Sequence, residues 1–150
     1  MKIEYITRHF TELTTSELYQ ILRLRNEVFV VEQMCLYQDI DGKDLGAYHV
    51  LGYGDETLAA YTRLLAPGIS YPEVSIGRVI VAEAFRGSGI GKQLMEESVQ
   101  RCYELFGNLP IRICAQTHLV DFYRTVGFVP VTDSFDHEGI PHTEMLKAAL

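Results

Sequence analysis

Residues 79–97 read VIVAEAFRGSGIGKQLMEE. Val79 to Ala82 is a short apolar run, the pattern of a buried strand. Gly87, Gly89 and Gly91 then stand at alternate positions, and apolar residues recur at helical spacing from Ile90 to about Phe106, where GNLP stops the helix. The first turn of a helix leaves its N–H groups without partners, and the helix dipole adds positive potential there. Glycines let a ligand approach that backbone and supply positive φ where a turn needs it. The stretch therefore predicts an anion site at a helix N-terminus.

Two phosphate-binding loops fail against these residues. A Walker A loop needs glycine where Arg86 stands and Ser or Thr where Gln93 stands. A dinucleotide fingerprint needs a third glycine at Lys92. What remains is Arg-x-x-Gly-x-Gly, formed by Arg86, Gly89 and Gly91 directly after a strand.

Outward from the loop, one α+β unit covers residues 1–150, with no repeat, linker or low-complexity run. KIEYITRHF predicts a strand. LTTSELYQILRLRNEVFV predicts a helix, with Thr14 and Glu17 forming a capping box and Leu13 and Leu18 a hydrophobic staple. Ile21, Leu22, Arg25, Val28 and Phe29 share its largely apolar face. VEQMCLYQDIDGKDLG is polar and acidic and reads as a loop. AYHVLGYG and LAAYTRLLA form a hairpin, followed by the strand EVSIGRVIVA. After the glycine-led helix come a strand IRICAQ, a short helix LVDFYRTV and a strand GFVPVTD. SFDHEG reads as a turn, and PHTEMLKA closes the chain. The expected architecture is a mixed β-sheet flanked by helices.

Composition narrows the partners. A chain of 150 residues, nearly half of them apolar, can bury one sizeable core. Its net charge of −7 disfavours nucleic acid and anionic lipid and suits a cationic small molecule or peptide. No apolar run approaches a membrane span, and the first ten residues lack the apolar core of a signal peptide. Three scattered cysteines, Cys35, Cys102 and Cys114, fit a reducing cytoplasm rather than a disulfide framework or a zinc site. The DIDG segment is no EF-hand, since Asp44 and Val50 stand where glycine and glutamate are needed. No metal site is expected.

Arg86, Gly89 and Gly91 after a strand, with Tyr123, Gly127 and Phe128 downstream in a Tyr-x-x-x-Gly-Phe segment, resemble the GNAT superfamily of N-acetyltransferases. VFVVEQMCLYQDID, IGRVIV and GIPH look like its ElaA-type branch. The resemblance spans essentially the whole chain and implies the GNAT fold with acetyl-CoA as co-substrate. It implies backbone contacts from Val79, Ile80 and Val81 to the acetyl-pantetheine arm. Arg86, Gly87, Ser88, Gly89, Ile90, Gly91 and Lys92 would wrap the pyrophosphate, and Tyr123 would meet the sulfur as general acid. Two positions depart from the family pattern. Gln116 replaces an asparagine that often contacts pantetheine, and Glu83 replaces a common proline.

Acetyl transfer to an amine of pKa ~10 requires the amine to lose a proton before it attacks. A strand N–H, at Val79 or Val81, would stabilise the oxyanion. For the base, Glu32 and His142 are favoured on the acceptor side; Asp39, Asp41 and a water chain are alternatives. Arg63 and Arg78, set in apolar strands, read either as ion-paired scaffolding with Glu32 or Asp39 or as ligands for a substrate carboxylate. Three functions stand against one another: an N-acetyltransferase of a small or peptide amine, a non-catalytic acyl-CoA sensor, and an oligomeric scaffold with a vestigial pocket. The enzyme is expected as a monomer or homodimer.

Overall fold

The structure, a computed structural model, describes residues 2–150; Met1 lies outside the described residues. The chain opens with β1 (Ile3–His9) and reaches α1 (Thr15–Arg25) through a 3-10 turn. The expected capping box is formed. Thr14 Oγ1 accepts from the Glu17 N–H at 3.0 Å, and Glu17 Oε1 accepts from the Thr14 N–H at 2.9 Å. Two donors that a helix start leaves open are thereby satisfied. Beyond Arg25 the helix widens into a π-helical stretch, Asn26–Glu32, so Val31 and Glu32 belong to the helix and not to the loop predicted for them.

β2 (Tyr48–Gly54) and β3 (Thr57–Leu65) form the expected hairpin, and β4 (Val74–Val81) follows antiparallel to β3. α2 (Ile90–Phe106) carries the chain to β5 (Ile111–Gln116), which lies parallel to β4. α3 (Val120–Arg124), β6 (Val129–Pro130), β7 (Phe135–His137) and β8 (Ile140–Lys147) complete the chain. The strand order is β1-β2-β3-β4-β5-β8-β6, with β7 also paired to β8. This is the mixed, helix-flanked sheet expected.

Two further details differ from the sequence reading. GFVPVTD contributes only Val129–Pro130 to the sheet: the Val131 N–H still donates to the Glu144 carbonyl at 2.9 Å, but the Glu144 N–H donates to the Thr132 hydroxyl at 3.0 Å instead of to backbone, which ends the ladder. SFDHEG is strand as well as turn. Phe135 to His137 pair with β8, and Glu138 and Gly139, both at positive φ (55° and 79°), make the two-residue turn of a hairpin.

The two faces of the sheet are covered separately. α2 and α3 bury one, where Leu94, Met95 and Val99 pack on Val50, Ile76 and Ile113. α1 and the π-helical stretch bury part of the other, where Ile21, Leu24 and Val28 pack on Leu51, Tyr61 and Ile80. That second face also holds three arginines. Arg25 comes from α1, Arg63 from β3 and Arg78 from β4, and the loop after the π-helical stretch brings Asp39, Asp41 and Asp44 to them.

Arg25 is fully buried; its Nη1 lies 2.7 Å from Asp44 Oδ1 and its Nε 2.8 Å from Asp39 Oδ2. Arg63 donates to both oxygens of Asp41 at 2.8 and 2.9 Å and to Asp44 at 3.1 Å. Arg78 Nε stands 2.7 Å from Asp39 Oδ1. Burial by itself would raise the Asp41 carboxyl, but the Arg63 hydrogen bond and charge outweigh it and bring it down to about 2. Asp44 is lowered by the same contest, with Arg25 as its main partner. His49 is buried beside them. Its Nε2–H donates to the Asp44 carbonyl at 3.1 Å, and Nδ1 accepts from the Tyr61 hydroxyl at 2.6 Å. Burial holds its pKa down, so it stays neutral.

Asp44 bridges two buried guanidiniums, so its removal strands charge without water. Asp44→Ala is expected to cost ~3–5 kcal/mol, the range for breaking a buried pair from one side. A melting temperature lowered by about 10 °C in a thermal scan is the expected result; an unchanged value would show that solvent reaches the arginines.

Candidate active site

Two irregularities open the sheet at β4. The first lies on the β3 side. Tyr61 pairs with Ile80 and Arg63 with Gly77, so Arg78 and Val79 together oppose Thr62. This is a β-bulge, and Arg78 takes a positive φ of 54° to make it. The second lies on the β5 side. β4 and β5 pair only at Val74–Ile111 and Ser75–Arg112, and then they diverge. From Ile76 to Val81 the backbone groups of β4 that face β5 have no strand partner. A slot is left between the two strands, lined on one edge by main-chain donors and acceptors.

The slot leads to the start of α2. Gly89 takes the N-cap position at φ 81°, which only a residue tolerant of left-handed backbone accepts without strain. No side chain caps this 17-residue helix, and its first turn holds no acidic residue. The open N–H groups and the dipole are available to an anion. Gly91 brings the helix start close to the rest of the site. A Cβ there would stand 3.5 Å from the Phe122 ring and 3.9 Å from Val81. Glycine loop, β4 and α3 thus pack as one corner.

Tyr123 stands on α3, next to Phe122, with ring centroids 5.0 Å apart. Burial is the only cause acting on its hydroxyl, pushing the pKa up to about 12. The phenol is therefore protonated at neutral pH. The Tyr-x-x-x-Gly-Phe segment has a local physical reason. The Phe128 N–H bonds the Tyr123 carbonyl at 3.1 Å, and the Gly127 N–H bonds that of Arg124 at 3.1 Å. This is a Schellman closure, with Gly127 at φ 97° as the left-handed residue. Phe128 folds back against the Tyr123 ring, 6.3 Å away and edge-on. A short helix is thereby stopped, and its tyrosine is clamped from both sides.

The remaining predicted residues fall into three groups. Glu32, last residue of the π-helical stretch, pairs with Arg86 at 3.1 Å. Asp39, Arg63 and Arg78 belong to the ion cluster beneath the loop, so the loop's acidic charge is matched by arginine from within the fold. Gln116 and His142 face each other in register across β5 and β8. His142 Nδ1 lies 2.8 Å from the Ile140 carbonyl oxygen, which makes Nδ1 the protonated nitrogen and leaves a lone pair on Nε2.

Several residues of this region were not singled out from sequence. Arg25, Asp44 and His49 form the centre of the buried cluster; a charge on the apolar face of the predicted helix was the available signal. Arg112 is held by Glu73 at 3.0 Å and Glu144 at 3.0 Å and lies over the Tyr71 ring, 5.7 Å from its centroid. Strict alternation in β5 was its signal. Ile111, Ile113 and Ala115 are buried, while Arg112, Cys114 and Gln116 are half-buried on the face α1 does not reach. Gly77, in register with Arg63 at the point where the strands diverge, has nothing within 4 Å of the place a Cβ would occupy. Among the described residues, no group of three or more His, Cys, Asp or Glu is placed to hold a metal ion.

The profile of the Acetyltransferase (GNAT) domain family matches residues 12–149. Protein ElaA of Escherichia coli strain K12 is 45% identical over 150 residues, covering 99% of this chain and 98% of ElaA. The crystal structure of Escherichia coli ElaA superposes with a TM-score of 0.91 at 44% identity, covering 97% of this chain and 99% of that one. An acyl-CoA N-acyltransferase from Pseudomonas aeruginosa superposes with a TM-score of 0.93 at 43% identity, covering 98% and 100%. The slot, the uncapped helix start and the clamped tyrosine are thus features of a chain that belongs to the GNAT acyltransferase family, in its ElaA-type branch.

Proposed function

We propose that this protein is an acetyl-CoA-dependent N-acetyltransferase that moves the acetyl group to a primary amine of a small molecule or peptide by direct attack. The observation that carries this reading is the divergence of β4 from β5 toward the uncapped start of α2. A narrow slot along a strand edge without a strand partner suits an amide-bearing arm, and the anion site at its end suits a pyrophosphate. The donor supplies a thioester carbonyl that an amine can attack.

Each residue then has a task. Backbone N–H groups from Gly87 to Lys92 hold the phosphates, and Arg86 and Lys92 add charge. The edge of Val79, Ile80 and Val81, freed by the bulge, orients the arm and offers an N–H to the developing oxyanion. Tyr123 donates its hydroxyl to the sulfur as the C–S bond breaks; its raised pKa keeps the proton available until thiolate charge develops. His142, through its free Nε2 lone pair, or Glu32 takes the proton that the amine gives up as the N–C bond forms. Gln116 stands beside His142 as a contact for the arm. Gly77 leaves the space through which the amine reaches the slot. The three free cysteines suit a reducing cytoplasm, and no helix among the described residues is long and apolar enough to cross a membrane.

Acetyl-CoA at a hundredfold excess over Kd is expected to stabilise the chain by ~2.7 kcal/mol. Gly89→Asp should abolish that melting shift by placing a carboxylate against the phosphates, because aspartate tolerates the left-handed backbone well enough to fold. A folded variant with a full shift would refute the loop assignment.

Tyr123→Phe keeps the clamped ring and removes only the hydroxyl. Its kcat for amine acetylation, followed by CoA thiol release, should fall ~10²-fold with acetyl-CoA affinity unchanged. Unchanged kcat, measured where chemistry limits the rate, would remove the acid role.

Gly77→Val should leave the melting temperature level or raised, since a β-branched residue suits a strand interior better than glycine. CoA binding should persist while amine acetylation falls by about 10²-fold. Full activity in this variant would place the acceptor elsewhere.

A further inference from the structure

Arg86 opens the glycine loop, yet its side chain is already engaged. Its Nε–H donates to the Val81 carbonyl at 2.9 Å, and Nη2 stands 3.1 Å from Glu32 Oε2. The pair joins the donor loop to the end of the π-helical stretch, two segments far apart in sequence. The other acidic residues near this face, Asp39, Asp41 and Asp44, are held by Arg25, Arg63 and Arg78. Glu32 has Arg86 alone among the described residues.

The two side chains are 40% and 38% exposed, so water screens the pair and a stronger ligand can draw off either end. A pyrophosphate is such a ligand for a guanidinium, because it accepts two parallel N–H bonds and carries more charge than one carboxylate.

We propose that the Glu32–Arg86 ion pair is a latch between the two substrate sites: a pyrophosphate entering the loop takes Arg86, and the released Glu32 becomes the free carboxylate that receives a protonated amine. This rests on the reading of the loop as a CoA site. In the free protein Glu32 competes with the donor for Arg86, and Arg86 masks Glu32 from the acceptor. Binding is reciprocal, so each substrate raises the affinity of the other.

The test is calorimetric titration of CoA into wild type, Glu32→Gln, Arg86→Gln and the double variant at low ionic strength, with pantetheine, which lacks the pyrophosphate, as a second titrant. Glu32→Gln should bind CoA about threefold more tightly than wild type, the scale of an exposed ion pair. It should bind pantetheine no better. In the Arg86→Gln background the Glu32→Gln gain should vanish. Equal or weaker CoA binding by Glu32→Gln would overturn the latch. So would a gain that persists without Arg86, since Glu32 would then repel the phosphates directly, and so would an equal gain with pantetheine. If Arg86→Gln does not fold, the comparison of CoA with pantetheine on Glu32→Gln decides the matter. Undiminished CoA binding by Gly89→Asp would instead refute the loop assignment itself, a failure separate from that of the latch.

Discussion

The largely buried meeting of Arg25, Arg63 and Arg78 with Asp39, Asp41 and Asp44 is the constraint on which the α1 side of the sheet depends. A guanidinium with the burial of Arg25 cannot be left unpaired, because desolvating a lone ion costs several kcal/mol. The chain answers by folding an otherwise irregular loop down onto the sheet. Three positive and three negative side chains cancel, so the cluster sits in the interior without a net charge. The loop has little apolar anchoring of its own: Met34 and Leu36 stand in solvent at 87% and 95% exposure. Its course is set by its carboxylates. One of the three arginines, Arg78, is the residue that forms the β-bulge. The cluster therefore ties the position of the loop to the shape of β4 at the cleft.

The corner formed by β4, α2 and α3 relies on different physics. There, backbone geometry does most of the work: a strand edge without a partner, a helix start without a cap, and a Schellman closure that clamps one tyrosine. None of these needs a particular charged side chain. They need glycine at three or four places and a sheet that parts at the right residue. Parallel pairing between β4 and β5 lasts two residues because the bulge turns β4 away from its neighbour while β5 is held by a full ladder to β8. The slot is thus a consequence of unequal pairing on the two sides of one strand.

This contrast explains what was legible in the sequence. Local signals carried the helix from Ile90 to Phe106 with its glycine-led start, the Thr14–Glu17 capping box, the β2–β3 hairpin and the short helix that carries Tyr123. Each is specified by residues within a few positions of one another. The π-helical widening after Arg25 is not legible, since the apolar spacing of Val28 and Phe29 fits an ordinary α-helix equally well. The β7 hairpin turns on Glu138 at positive φ, a conformation that residue rarely adopts. The partners of Arg63 were narrowed to acidic residues of the right loop, yet Asp41 and Asp44 hold it. A carboxylate 19 or 22 residues away in sequence gives no sign of which arginine it will meet. Helical spacing puts Arg25 on the apolar face, but its partners Asp39 and Asp44 lie in a later loop, beyond the reach of any local signal.

The same contrast bears on the acceptor. A net charge of −7 suggests attraction for cations, and the loop carrying Asp39, Asp41 and Asp44 looks in sequence like the place for it. In the fold those three carboxylates are spent on arginines. What faces the open side of the sheet is a mixed surface: Arg112 between two glutamates, Cys114, Gln116, and His142 with one nitrogen free. A fixed charge of one sign would select amines by their charge alone. Charge on this surface is balanced, and Glu32 differs from the three loop aspartates in having one exposed partner, Arg86, among the described residues.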